Sequence, residues 1–113
     1  MQGVTLMEPT GDQLLVVLST LANPHRMRIL ASLTKAPTYV SALAREIGIS
    51  RPLLQVHLRR LEAAGLVASE LRLSEQGTAM NYYSVQPFEI RLDPDAVARA
   101  TTTLTDRKDD DHG

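Results

Sequence analysis

The stretch GISRPLLQVHLRRLEAAGLV, residues Gly48–Val67, decides the fold of this protein. Ser50 is a favoured N-cap residue, and Pro52 is tolerated in a first helical turn because the N–H that it lacks has no partner there. Apolar residues then recur at i, i+4 and i+7, which predicts a helix over residues 50–64 with one buried face. The predicted buried stripe consists of Leu54, Leu58 and Leu61.

A shorter helical pattern comes directly before this stretch. In TYVSALAREIG, residues 38–48, the apolar residues fall on one helical face, and Gly48 suits the left-handed conformation that ends a helix. The two helices are joined by GIS, residues 48–50, and Ile49 is placed to tuck between them. Two short helices with this spacing predict a helix-turn-helix.

The chain before residue 38 predicts two further helices. The first starts near Asp12 and carries leucines and valines at helical spacing, which predicts a wide apolar face. Asn23 and Pro24 then supply an N-cap and a first helical position for a second helix over residues 24–35. The residues that we expect this helix to bury are Met27, Leu30 and Leu33, or the residues next to them.

The chain after residue 65 predicts a β-hairpin and a last helix. LVASELRL alternates in the manner of a strand, MNYYSV is rich in aromatic and β-branched residues, and Gly77 lies in the turn between them. Asp93 and Pro94 open a last helix as Asn23 and Pro24 open the second. The predicted fold is mainly α with a small β-hairpin (α+β).

Length and composition limit the class of protein. A chain of 113 residues with 43% hydrophobic residues fits one domain. We expect a flexible arm over residues 1–10, a domain over residues 11–105 and a disordered acidic tail over residues 106–113. The absence of cysteine excludes thiol catalysis and zinc–cysteine sites. No signal-peptide pattern or run of roughly 18 apolar residues occurs, which predicts a cytoplasmic protein without a membrane partner.

Charge is distributed unevenly along the chain. The formal net charge is −1, yet residues 24–65 contain seven basic and two acidic side chains, and so carry a charge of +5. Residues 1–23 carry −2 and residues 66–113 carry −4. The basic middle of the chain therefore predicts a polyanionic partner such as double-stranded DNA.

Four segments in order give the sequence a resemblance to a known family. LANPHRMRILASL, VSALAREIGIS, HLRRLEAAGLV and NYYSV together resemble the ArsR/SmtB-like family of winged helix-turn-helix transcriptional regulators. The resemblance implies a homodimer formed through the first and last helices, with residues 50–64 as the recognition helix on a near-palindromic operator. It also implies repression that an effector relieves. The side chains that we expect in the dimer interface are Leu14, Val17, Leu18, Leu21, Val97 and Leu104.

The sequence departs from the family at its sensing sites and in the recognition helix. The third helix lacks the cysteine motif of the metal sensors, and DPDAVARATTTL lacks the histidines of others. Leu53 and Gln55 stand where the family often has small hydroxyl residues, which implies a different base preference.

The recognition helix supplies most of the predicted DNA contacts. Arg51 is suited to pair with a guanine, Gln55 with an adenine and Arg59 with a phosphate. The helix start at Ser50 offers free N–H groups to a phosphate, and a solvated helix face is the alternative. The full predicted set is Ser50, Arg51, Gln55, Val56, His57, Arg59, Arg45 and Arg72.

His57 and the C-terminal tail are the candidates for other chemistry. His57 lies on the border of the buried stripe with no metal-ligand residue at i±3 or i±4, so we expect it to brace the helix and reach a phosphate. The tail has the oxygen and nitrogen donors that suit nickel, cobalt or zinc, and a solvated tail is the alternative. The candidate metal ligands are Asp109, Asp110, Asp111, His112 and His25.

Two other classes of function compete with DNA binding. The sequence contains no nucleophile elbow, phosphate loop or zinc-protease motif, so we predict that the protein is not an enzyme. A winged helix that binds a partner protein instead of an operator is the stronger alternative.

Overall fold

The computed structural model of the chain describes residues 8–105, which form five helices and a small antiparallel sheet. The helices are α1 (Gly11–Leu21), α2 (Pro24–Lys35), α3 (Val40–Ile47), α4 (Arg51–Ala63) and α5 (Pro94–Thr101). The strands are β1 (Thr38–Tyr39), β2 (Val67–Leu73) and β3 (Ala79–Val85), in the sheet order β1-β3-β2. Within residues 8–105, no helix has the length and apolar character needed to cross a membrane. The predicted class, mainly α with a small β-hairpin, is confirmed.

The helix starts follow from capping residues that the sequence displays. Asn23 accepts hydrogen bonds from the backbone N–H groups of His25 and Arg26 at 2.9 and 3.2 Å. Ser50 accepts one from Leu53 at 3.2 Å, and Asp93 accepts one from Ala96 at 2.8 Å. Each cap is followed by a proline within the first two helical positions. All three predicted caps are therefore confirmed.

The sheet differs from the prediction at one strand. Thr38 and Tyr39, which we expected at the start of the third helix, form a short strand that pairs with Tyr83 and Tyr82 of β3. Pro37 keeps the backbone before it extended, and Tyr39 stays extended up to the start of α3. The sheet consequently has three strands instead of the two of a simple hairpin.

The described chain divides into two compact units. The first consists of residues 8–18 and 88–105, and the second consists of residues 19–87, which contain the helix-turn-helix and the sheet. The prediction of a single domain over residues 11–105 stays a prediction.

In the first unit, the start of α1 is tied to the end of α5. The N–H of Gly11 donates to Thr103 Oγ1 at 2.7 Å, and the N–H of Thr105 donates to Asp12 Oδ1 at 3.0 Å. Gly11 has no room for a side chain, because a Cβ there would overlap the backbone carbonyl of Ala100. Glu8, which we expected in a flexible arm, forms an exposed ion pair with Arg99.

In the second unit, the core is built from leucine and isoleucine side chains of α2, α3 and α4. Met27 differs from the expectation, since it is 60% exposed, whereas Ile29, next to Leu30, is fully buried. Leu30 and Leu33 are buried as predicted, and so is the leucine stripe of α4. The fully buried side chains of this unit are Ile29, Leu33, Leu43, Leu54, Leu58 and Leu61.

Candidate nucleic-acid interface

The turn between α3 and α4 sets the direction in which α4 leaves the core. Gly48 adopts φ 82°, and the N–H groups of Gly48 and Ile49 both donate to the carbonyl of Ala44, at 2.8 and 3.2 Å. A left-handed residue at this position closes α3 and lets the chain reverse within three residues. The structure therefore has the helix-turn-helix that the spacing predicts.

The two sides of α4 have opposite character. Its inner side is buried in the second unit, as described above, and its outer side carries Arg51, Val56 and Arg59, all exposed, with Gln55 half-buried beside them. Within residues 8–105, neither Arg51 nor Arg59 makes an ion pair. The outer side of α4 is therefore a positively charged surface whose guanidinium groups are free to bind an anion.

The start of α4 brings two of the predicted arginines together. Arg45, in the last turn of α3, and Arg51 line the same shallow depression, together with the turn residues Gly48 and Ile49. Ser50 accepts from Leu53 at this end of the helix, so its hydroxyl oxygen is used as a cap. The depression combines two cations with the N-terminus of a thirteen-residue helix, an arrangement that favours a phosphate.

A cleft of about 390 Å³ separates α4 from the hairpin. Arg51 and Gln55 line it on the helix side, and Thr78 and Asn81 line it on the β3 side. The cleft gives a linear polyanion room to contact both elements at once. Arg72 is not among the residues that line it.

The hairpin contributes little free charge. Arg72 forms an ion pair with Glu70, and its guanidinium lies 3.9 Å from the centre of the Tyr82 ring. The Glu70 carboxylate raises the pKa of Arg72, so the guanidinium stays charged but is already neutralised locally. Tyr82 in turn packs edge-on against Tyr39, with ring centres 4.9 Å apart. Arg72 and the tyrosines thus stabilise the sheet surface.

The tip of the hairpin is held by Ser74. Its hydroxyl accepts hydrogen bonds from the N–H groups of Gln76 and Thr78 at 3.2 and 3.0 Å, and Gly77 adopts φ 84°. Leu71 and Leu73, which the alternating pattern places on one face of β2, are 69% and 72% exposed. The hairpin therefore projects beyond the core, in the manner of a wing.

His57 lies deeper than the sequence suggested. Its side chain is buried, and Arg26 Nη1 lies 3.1 Å from its Nδ1. Because a guanidinium can only donate, Nδ1 is the acceptor and the neutral imidazole carries its proton on Nε2. Burial is the main cause that lowers the pKa of His57, and the charge of Arg26 is the next. This geometry favours the bracing role of His57, and its predicted phosphate contact stays a prediction.

Arg26 is a positioning residue that the sequence pattern does not predict. Its Nε donates to the carbonyl of Thr20 at 2.6 Å, so the same guanidinium joins the end of α1, α2 and α4. Its contact partner His57 is 31 residues away in the chain, so no local spacing in the sequence predicts this pair.

The predicted metal ligands are only partly within the described chain. The residues Asp109, Asp110, Asp111 and His112 lie outside it. His25 is half-buried, with its ring centre 5.5 Å from that of His57, and its Nδ1 has no hydrogen-bond partner within residues 8–105. No group of three or more histidine and carboxylate side chains in that range is arranged to hold a metal ion. Metal binding stays a prediction.

Together, the buried helix-turn-helix core, the basic outer side of α4 and the wing-like hairpin define a winged helix-turn-helix protein. A family model described as a helix-turn-helix domain matches residues 21–70. An uncharacterised HTH-type transcriptional regulator of Methanocaldococcus jannaschii is 39% identical over 79 residues, which cover 70% of this chain and 82% of that protein. The chain belongs to the ArsR/SmtB-like family of winged helix-turn-helix transcriptional regulators.

Solved structures show the same fold. The crystal structure of NolR from Sinorhizobium fredii is 35% identical with a TM-score of 0.59, and the match covers 72% of this chain and 83% of NolR. A homodimeric winged helix-turn-helix DNA-binding domain from Mycobacterium bovis, a possible ArsR-family regulator, is 28% identical with a TM-score of 0.57 over 80% of this chain and 73% of that one. The relative from Methanocaldococcus jannaschii is an HTH-type transcriptional regulator, a class of protein without enzymatic activity, so the prediction that the protein is not an enzyme is confirmed.

Proposed function

We propose that this transcriptional regulator binds a near-palindromic operator as a homodimer, with α4 of each copy in the major groove. The observation that carries the proposal is the outer side of α4, where Arg51 and Arg59 are exposed and form no ion pair with any residue in the range 8–105. An α-helix fits the major groove, and a helix-turn-helix presents the first turns of its second helix to the bases.

The position of each polar group suggests its part in this complex. Arg51 and Gln55, at the cleft beside the hairpin, face the base edges, whereas Arg59 contacts the backbone. The depression lined by Arg45 and Arg51 seats a phosphate at the start of α4. Arg72 has a minor role, because Glu70 already neutralises it.

The first unit supplies a surface for a second copy of the chain. Leu18, Val97 and Leu104 are 38%, 46% and 41% exposed, and Leu15 is 56% exposed. Leu14 is buried within the single chain, so Leu15 offers more surface to a partner than Leu14 does. Val17 and Leu21 are half-buried. Exposed apolar side chains on two neighbouring helices are typical of a homodimer interface, and the relative from Mycobacterium bovis is homodimeric.

The proposal is tested by DNA binding in a salt series. The full chain is titrated into labelled duplexes from the region upstream of its own gene, and affinity is followed by fluorescence anisotropy between low and physiological salt. We expect one duplex to bind far more tightly than unrelated DNA, with an affinity that falls as salt rises. Equal, salt-insensitive binding to all duplexes and no retention on heparin would favour the protein-partner alternative.

A further inference from the structure

The outer side of α4 carries an apolar strip between its arginines. Leu53 is 41% exposed and Val56 is 43% exposed, and Pro52 beside them is exposed as well. The spacings of three and four residues place these side chains next to one another on the helix surface. Single exposed apolar residues are ordinary, whereas neighbouring ones on a helix surface form an apolar patch that a binding partner can cover.

Polar groups surround the strip and limit what can cover it. Arg59 and Arg60 follow Val56 within one turn, and Arg51 precedes the strip, all three exposed. An apolar protein surface laid on the strip would have to desolvate these guanidinium groups without neutralising them. A DNA major groove satisfies both requirements, because phosphates line its edges and thymine C5-methyl groups project from its floor.

We propose that Leu53 and Val56 read thymine methyl groups, which would give the operator half-site thymines at fixed positions under the first two turns of α4. The inference rests on the DNA-binding function proposed above and adds the base class that is recognised. It differs from the hydrogen-bond reading by Gln55, because a methyl contact needs no donor or acceptor on the protein. Both side chains start exposed, so their burial against a methyl group removes apolar surface from water on each side of the contact.

The test removes the methyl group from the DNA and leaves the protein unchanged. The best-bound duplex is selected from a random library, and each thymine is replaced in turn by deoxyuridine, which keeps base pairing and loses only the methyl group. We expect the affinity to fall about three- to fourfold at one or two positions in each half-site, as loss of one buried methyl predicts. Thymines outside these positions should tolerate the replacement.

Variants then connect each sensitive position to a side chain. V56A and L53A should each lose the discrimination between thymine and deoxyuridine at one position, as a double-mutant cycle measures. R59A should weaken binding to the thymine and the deoxyuridine duplex alike, so that the ratio of the two affinities is unchanged. The matched apolar control is L92A, which changes a leucine that is 54% exposed and lies outside α4, and it should leave this ratio unchanged as well.

The outcomes separate the two proposals. Sequence-specific binding with the same affinity for thymine and deoxyuridine at every position overturns the methyl reading and leaves the proposed function standing. The methyl reading is also overturned if L92A loses the discrimination between thymine and deoxyuridine as V56A does, because the discrimination would then not depend on α4. Absence of any sequence-specific DNA binding overturns both.

Discussion

Arg26 and His57 are 31 residues apart in the chain, and Arg26 Nη1 donates a hydrogen bond to His57 Nδ1 over 3.1 Å. The contact joins α4 to α2 through a polar group beside a core that consists mainly of leucine and isoleucine side chains. Because Arg26 also donates to the carbonyl of Thr20, one guanidinium on α2 joins α4 to the end of α1. The Arg26–His57 hydrogen bond therefore both stabilises the second unit and helps to hold α4 in its position.

The first prediction concerns Arg26. R26A removes the donor to His57 Nδ1 and to the Thr20 carbonyl, so we expect the free energy of unfolding to fall by about 1–3 kcal/mol. Since Arg26 is one cause of the lowered pKa of His57, the variant should also raise that pKa, as imidazole NMR titration measures. The matched control R28A, at an exposed position of the same helix, should stay within about 0.5 kcal/mol of the wild type. Equal effects of the two variants would contradict the assigned role.

The second prediction concerns pH. The folded-state pKa of His57 is lower than its ordinary value of 6.5, so near that pH the unfolded chain binds more protons than the folded one. The contribution of His57 to stability is therefore present above pH 6.5 and is lost as the pH falls through the folded pKa. Urea unfolding at a series of pH values should show this loss in the wild type.

The matched variant for the pH prediction is H57N. Asparagine keeps an acceptor near the position of Nδ1 but does not titrate, so the difference in stability between wild type and H57N isolates the contribution of His57. We expect this difference to shrink as the pH is lowered from 7.5 to 5. A difference that is constant over this range would show that His57 does not carry the effect. The groups whose charge acts on His57 are His25, Arg26 and Arg60.

The third prediction separates base reading from backbone contact on α4. R59A should weaken binding to all duplexes alike and reduce the slope of log affinity against log salt by about 0.9, because one phosphate contact is lost. Q55A should relax the preference among operator sequences and leave the salt slope unchanged. The charge-matched control R91A, at an exposed residue outside the helix-turn-helix, should change neither quantity. The assignment fails if both α4 variants bind as the wild type does.

The fourth prediction concerns the homodimer. Val97 is 46% exposed on α5, and V97E places a charge in the proposed interface, where its desolvation is unfavourable. We expect sedimentation to show a shift from dimer to monomer at micromolar protein, together with weaker operator binding, because two linked half-site contacts are lost. The control L71E changes an equally apolar side chain on the hairpin and should remain dimeric. A dimeric V97E would place the interface elsewhere.

The fifth prediction concerns metal. The candidate ligands are the tail residues and His25, and a solvated tail is the alternative. If these residues form a site for nickel, cobalt or zinc, calorimetry on the full chain detects one of these ions, and removal of residues 106–113 abolishes the signal. H25A tests the contribution of the histidine on α2. Heats no larger than those of buffer competition would exclude a metal response of this chain.

Local signals determined where three of the helices begin. Asn23, Ser50 and Asp93 are capping residues followed by proline, and all three cap helices in the structure, because a cap needs only groups within three residues. The buried stripe of α4 can be predicted for the same reason, because the spacing of its leucines depends on the geometry of a single helix. The winged helix-turn-helix itself could thus be predicted from consecutive local patterns.

Other features could not be read from local spacing. Thr38 and Tyr39 form a strand because β3, more than forty residues later, offers them partners. Met27 is exposed and Ile29 is buried because the elements packed against α2 determine which face of the helix is covered. The helical period alone does not fix that face to the exact residue.

The sequence by itself determined the order of the helices and the hairpin, the caps of three helices and the basic outer side of α4, all of which depend on interactions within a few residues. Only the tertiary structure decided that His57 is buried and neutral against Arg26, and that Leu53 and Val56 stay exposed between arginines. A side chain is buried or paired by segments that are distant in the chain and that the fold brings against it. The periodic pattern of one helix does not show which segments these are.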